Sequence, residues 1–407
     1  MAEQATIAPR AARGDRRAMG AACGAHIVHD GFTDVLYVML PIWQAELGLG
    51  YAEVGMLRSA YTGAMAVFQI PAGALAERFG PAVVLALGTV LAGAAFPLAG
   101  SSWAFAPLLV ALIAGGIGAS VQHPIASAMV SRAFEGLNVR TAIGTYNFAG
   151  DIGKMLLPAA AALLITVMHW RSAMWALFAL GIVAALLILV FAQHAAAAPA
   201  AGHHAPAKGA PAPGAAPVAR GGFALLLAIG TIDTATRAGF LTFLPFLLTA
   251  KSASLPTIGL ALTLVFAGGA AGKLICAFIG ARFGVLRTVL LTEGLTAVGI
   301  VALLPLPLDA GLAVLPLIGV ALNGTSSVLY GTVPDLVPAD RRTRAFSVFY
   351  TGAVGAGAVA PIAYGLFSDA IGVPMTMIVV AALVLATLPL AILLNKVLAS
   401  QREAAPA

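Results

Sequence analysis

Hydropathy divides this chain into a succession of long apolar stretches, each about as long as a bilayer is thick. They lie near 19–44, 51–76, 81–99, 104–131, 138–166 and 171–192, and after a break near 222–249, 255–280, 285–305, 309–334, 343–367 and 373–396. About 20 apolar residues in a helix cross a hydrocarbon core of about 30 Å. A helix also satisfies its backbone polar groups internally, as lipid requires. Only 9% of the residues are charged and 60% are hydrophobic, against about 25% charged in a soluble domain. The pattern therefore predicts an all-α membrane protein with twelve transmembrane helices, six on either side of residues 193–221. That break is rich in Ala and Pro, with Pro199, Pro206, Pro211, Pro213 and Pro217. It reads as a flexible linker between an N-terminal half, 19–192, and a C-terminal half, 222–398. Residues 1–18 and 399–407 read as tails.

The placement of charge gives the expected orientation. A net charge of +6 could suggest nucleic acid, but sixteen of the 22 basic residues fall in the tails, the linker and every second loop. Only Arg171 and Lys251 fall in the alternate loops. By the positive-inside rule, tails and linker are cytoplasmic. The first apolar run is too long for a signal-peptide core, so it reads as a retained anchor. Cys23 and Cys276 both lie in apolar stretches and read as free thiols; no CxxC pair is present.

A weak internal repeat supports the division. Arg78-Phe79-Gly80 recurs as Arg282-Phe283-Gly284, and at the same offset Arg140 meets Arg344, Tyr146 meets Tyr350 and Gly153 meets Gly357. Two pseudo-symmetric halves in parallel orientation are a transporter arrangement.

Ionisable groups inside apolar spans are costly and face a cavity or a partner. In the first span His26, His29, Asp30, Thr33 and Asp34 share one helical face. Asp30 lies roughly 16 Å into that span at 1.5 Å per residue. Histidine titrates near neutral pH, so Asp30 with His26, His29 and Asp34 is a candidate proton-coupling group. The alternative is that His26 and Asp34 only tie the helix to a neighbour. His123, before Pro124, is a candidate for gating or binding, or a histidine held by one buried hydrogen bond. Asn147, Asp151 and Lys154 share a face; Asp151 and Lys154 can pair, or Lys154 can attract an anion. Asp233 and Arg237, four apart, can pair with each other, or Arg237 can clamp an oxyanion. Arg58, Tyr61, Lys273, Asn323 and Tyr330 complete the candidate substrate-binding set. Four basic residues within spans point to an anionic or zwitterionic solute.

The motifs carry a resemblance. Gly73-Ala74-Leu75-Ala76-Glu77-Arg78-Phe79-Gly80 resembles the loop signature of the major facilitator superfamily, with Pro81-Ala82-Val83 where further basic residues are usual. More narrowly, the chain resembles the fosmidomycin-resistance family in His26 and Asp30, in Pro41, Gln44 and Glu46, in Ser120-Val121-Gln122-His123-Pro124, and in Asp335-Leu336-Val337-Pro338. It departs at Ile125 and Ala128, where that family has an acidic residue and an arginine. The resemblance implies the major facilitator fold and a gating role for Gly73, Glu77, Arg78 and Gly80. It also implies a proton-coupled transporter in a bacterial inner membrane, exporting a small polar or anionic toxic compound. An uptake symporter for a small organic anion is the alternative. The expected partners are that solute, protons and the lipid bilayer, with a monomeric carrier. The sequence shows no GxxxxGK[ST] and no HExxH, so no enzyme activity, cofactor, metal or nucleic-acid partner is expected.

Overall fold

The computed structural model describes residues 13–134, 137–192, 221–338 and 341–403. The linker, apart from Gly221, and the outermost parts of both tails lie outside the described residues, as does the side chain of Arg140. The described residues are helical almost throughout. Before the linker come α1 (Arg13–Leu47), α2 (Tyr51–Phe79), α3 (Pro81–Gly100), α4 (Phe105–Ala119), α5 (Gln122–Ala133), α6 (Leu137–Val167) and α7 (Trp170–Ala192). After it come α8 (Gly222–Ala250), α9 (Leu255–Leu303), α10 (Leu308–Leu336), α11 (Arg342–Ile371), α12 (Val373–Leu385) and α13 (Thr387–Glu403). Ten stretches among the described residues are long and apolar enough to cross a membrane. α1 and α2 are not among them: Asp30, Asp34 and two histidines lower the hydropathy of α1, and Arg58, Ser59, Thr62, Gln69 and several glycines lower that of α2.

Three expected boundaries shift for identifiable reasons. The stretch expected as one helix over 104–131 is interrupted at Ser120 and Val121. Pro124 cannot donate to the carbonyl four residues back, and its ring crowds that turn. The last expected span is interrupted at Ala386, three residues before Pro389. Conversely, α9 runs through the loop expected between 280 and 285, with one non-helical residue, Gly284, at φ +82°. Gly80 ends α2 at φ +91°. The two members of the sequence repeat thus share a positive φ that only glycine adopts without strain. They also share a side-chain contact: Arg78 lies 5.3 Å over the Phe79 ring, and Arg282 lies 5.6 Å over the Phe283 ring.

α1 packs on α6 and α7, α3 on α4 and α7, and α2 on α4. After the linker α10 packs on α9, α11 on α8, and α12 and α13 on α8 and α9. The two sets join mainly along α2–α11 and α6–α9. Glycine makes this seam close: Gly55 abuts the Pro361 carbonyl, Gly365 abuts the Tyr51 carbonyl, and Gly259 abuts Ala159 and Ala162, leaving no room for a Cβ. Close backbone approach of this kind drives helix association where lipid removes the hydrophobic effect. The seam is also hydrogen-bonded. Asp369, near the end of α11, accepts from the Tyr51 and Ala52 amides at 2.7 and 2.9 Å and caps α2. The Thr263 hydroxyl donates to the Met155 carbonyl at 2.6 Å. All these contacts lie towards the starts of α2 and α9 and the ends of α6 and α11. Towards the other end Val67, Ile70 and Phe79 of α2 and Val348 and Tyr350 of α11 are exposed.

Candidate functional site

A cavity of about 280 Å³ lies where α1, α2, α5, α6, α8, α9 and α10 converge. Its wall includes Asp30, Asp34 and Tyr37, Arg58, His123, Asp151 and Lys154, Arg237, Lys273 and Asn323. Seven helices thus bring together residues that the sequence scatters over nearly three hundred positions.

Asp30 is the hub. One carboxylate oxygen lies 3.2 Å from both His26 Nε2 and Lys154 Nζ; the other lies 3.8 Å from His123 Nε2. His26 Nδ1 is 2.8 Å from the Tyr146 carbonyl, which can only accept, so this partner assigns the ring proton to Nδ1. Nε2 of the neutral ring then presents a lone pair to a carboxylate oxygen. Their contact is attractive only when a proton sits between them. The ligand atoms of His26, Asp30 and His123 also lie within 4.8 Å of one another, a spacing that could hold a metal ion. The Lys154 ammonium on the same carboxylate opposes a divalent cation, so the donor set suits a proton better.

From Asp30 the charges continue across the cavity. Lys154 Nζ is 3.9 Å from Asp151. Asp151 is held more tightly by Lys273, whose Nζ donates to both carboxylate oxygens at 2.6 and 2.8 Å. The expected Asp151–Lys154 pair is therefore secondary to a pair that links α6 to α9. On the other side Arg58 lies 3.9 Å from Asp34, donates to the Tyr37 hydroxyl at 2.9 Å and stacks 4.5 Å over the Tyr37 ring.

Other candidates sit elsewhere. On α1, His29 is turned about 60° from His26 and about 100° from Asp30 at 100° per residue. Its Nε2 meets the Thr89 hydroxyl of α3 at 2.8 Å, and that hydroxyl donates to Leu85. The structure does not bring His29 into the cavity. Tyr61 bonds Thr33 at 3.3 Å behind the wall. Asn147 is exposed and off the wall. Asn323 is on the wall, and its amide donates to the Gly319 carbonyl. Asp233 and Tyr330 line a second cavity of about 210 Å³, and Arg237 lines both cavities. Asp233 and Arg237 lie beyond ion-pair distance, although the guanidinium's charge acts on the carboxyl, which also meets that of Glu293. Among the described residues Arg237 makes no hydrogen bond or ion pair. Glu77 of the loop motif is exposed and also has no ion pair among the described residues. Tyr37, Tyr146, Glu293 and Asp369 are additions. Glu293, a lone acid within an apolar stretch, carries the same signal that singles out Asp30; the other three have none.

The family model of the Major Facilitator Superfamily matches residues 22–232 and, again, 226–406. The "Probable 4-methylmuconolactone transporter" of Cupriavidus pinatubonensis is 25% identical over 349 residues, covering 83% of this chain and 80% of that protein. The fosmidomycin resistance protein of Escherichia coli is a more distant relative, 26% identical over 175 residues, covering 43% of this chain and 42% of that protein. Among solved structures, a bacterial homologue of the human lysosomal transporter Spinster, in an inward-facing and occupied conformation, has a TM-score of 0.78. It covers 94% of this chain and 97% of its own at 14% identity, a likeness of fold. This chain is a multi-pass membrane transporter, not an enzyme, and it belongs to the Major Facilitator Superfamily.

Proposed function

We propose that the protein is a proton-coupled secondary transporter of a small organic anion, working by alternating access. In this reading α4 with α5 makes one crossing, α9 makes two, and α12 with α13 makes one. The result is twelve crossings in two six-helix halves, with both termini cytoplasmic in a bacterial inner membrane. The seam through Asp369 and Gly55 is then the outer gate, and the cavity faces inward.

The observation that carries the reading is Arg237. Three aspartates on the cavity wall each have a basic partner: Asp30 has Lys154, Asp34 has Arg58, and Asp151 has Lys273. Among the described residues Arg237 makes no ion pair, which leaves a guanidinium able to take a carboxylate or phosphonate in two-pronged fashion. A proton arriving at the Asp30–His26 contact releases Lys154 and makes the cavity more positive. Lys154, 3.9 Å from Asp151, then competes with Lys273 for that carboxylate and loosens the pair that joins the halves. Proton and anion favour the same state, the differential affinity that a switch requires.

That charge balance supports symport, hence uptake under an inward proton gradient, over the export suggested by the resemblance to fosmidomycin resistance. The relative matching most of the chain is named for a small organic solute, which fits. Transport into proteoliposomes of paired charged and neutral analogues tests the reading. Arg237→Ala should remove most transport of the anion. Equal handling of both analogues by wild type and variant would refute it.

A further inference from the structure

The mechanism above leaves one buried acid unused. Glu293 lies on the Arg282–Leu303 part of α9 and is 1% exposed, and its Oε1 has no hydrogen-bond partner. Asp233, on α8, is 3% exposed. The two carboxyls lie in contact, and the Thr325 hydroxyl of α10, near Glu293, donates to Thr292 at 2.7 Å. Ionised carboxylates are acceptors only, and a buried unpaired charge is costly. Their contact therefore needs a proton between them.

The surroundings determine what that proton controls. Arg237, one turn along α8, acts on both carboxyls. Tyr330 of α10 and Tyr350 of α11 line the second cavity with Asp233. α12 has no ionisable residue, and α13 has them only from Lys396 onward. The other cations of the first cavity, Lys154, Lys273 and Arg58, are bound to its aspartates. With one shared proton the pair carries one negative charge, which balances Arg237. With a second proton it carries none, and Arg237 is free. Asp233 opens on the cavity, and Glu293 lies behind it.

We infer that Asp233 and Glu293 form a second proton-binding site, separate from the Asp30 cluster, whose filling releases Arg237 to take an anion. The release step rests on the anion reading above; the proton site does not.

Infrared spectroscopy of the full-length protein in lipid tests the site without any substrate. Wild type should show a protonated-carboxyl band that persists at neutral pH. Glu293→Gln should lose that band, and Glu293→Asp, which keeps a carboxyl, should move it. Arg237→Ala, the test of the anion reading, should keep the band while losing anion transport. A neutral-pH band unchanged in both Glu293 variants would overturn the proposal, whatever the outcome for anion transport.

Discussion

The two sets of helices treat charge in opposite ways. Before the linker each buried cavity acid meets a base: Asp30 meets Lys154 and two histidines, Asp34 meets Arg58, and Asp151 is held by Lys273 from the other set. After the linker the acid Asp233 meets an acid, Glu293, and the base Arg237, though its charge reaches both carboxyls, makes no ion pair or hydrogen bond among the described residues. A chain of paired charges transmits a change made at one end, because each partner released must find another. An unpaired base waits for a ligand. In the proposed reading, the proton that starts the switch binds at Asp30 in the first set and the anion binds at Arg237 in the second, where Asp233 and Glu293 hold a further proton, with Asp151–Lys273 as the joint between the sets.

The strongest way to break that division is at the hub. Asp30→Asn keeps the shape and removes the titratable group. Accumulation driven by a pH gradient should fall roughly 100-fold, the upper range of coupling between sites, while thermal stability stays near wild type. Normal accumulation would move proton sensing away from α1. Next in size is Arg237. A hydrogen bond to a charged group is worth about 1.5–3 kcal/mol, so Arg237→Ala should raise the KM for the anion roughly 10- to 100-fold. Arg237→Lys should recover only part, since a lysine lacks the planar fork.

The seam should give a smaller effect. Losing a helix cap costs about 1 kcal/mol, so Asp369→Ala should shift the balance of states about fivefold towards opening at the Gly50 end. Spin labels at Val67→Cys and Val348→Cys, on the exposed flanks of α2 and α11, should then report a larger short-distance population; an unchanged distribution would remove the latch role from Asp369. The smallest effect on transport is expected at His29. His29→Ala removes a bond to Thr89 and should cost about 1 kcal/mol of stability with transport within twofold of wild type, as read by melting and uptake together. A large transport defect in a stable His29→Ala protein would return that histidine to the coupling site.

These comparisons also show what the sequence could and could not disclose. Segment positions were legible because lipid forces a long apolar run to be a helix, and the Arg78–Gly80 repeat foretold a matching backbone at Arg282–Gly284. Asp30, Lys154 and Arg237 were legible because a charge within such a run is conspicuous. Partners were not. Spacing along one helix suggested Asp151 with Lys154 and Asp233 with Arg237, yet both acids chose partners on α9. A long-range contact leaves no local trace, and a buried pair forms where helices converge, not where residues are neighbours in sequence. His29 shows the same limit at finer scale: of five polar residues on one broad face, Asp30, Thr33 and Asp34 line the cavity, His26 turns to Tyr146 of α6, and His29 turns to α3.

The central claim is that proton and anion travel together. It is tested most directly by trapping a pH dye inside proteoliposomes at equal initial pH, then adding outside an anion identified by a growth panel. The account predicts that anion entry acidifies the lumen in wild type and leaves it unchanged in Asp30→Asn. A lumen that turns alkaline as the anion enters, or acidification undiminished in Asp30→Asn, would contradict it.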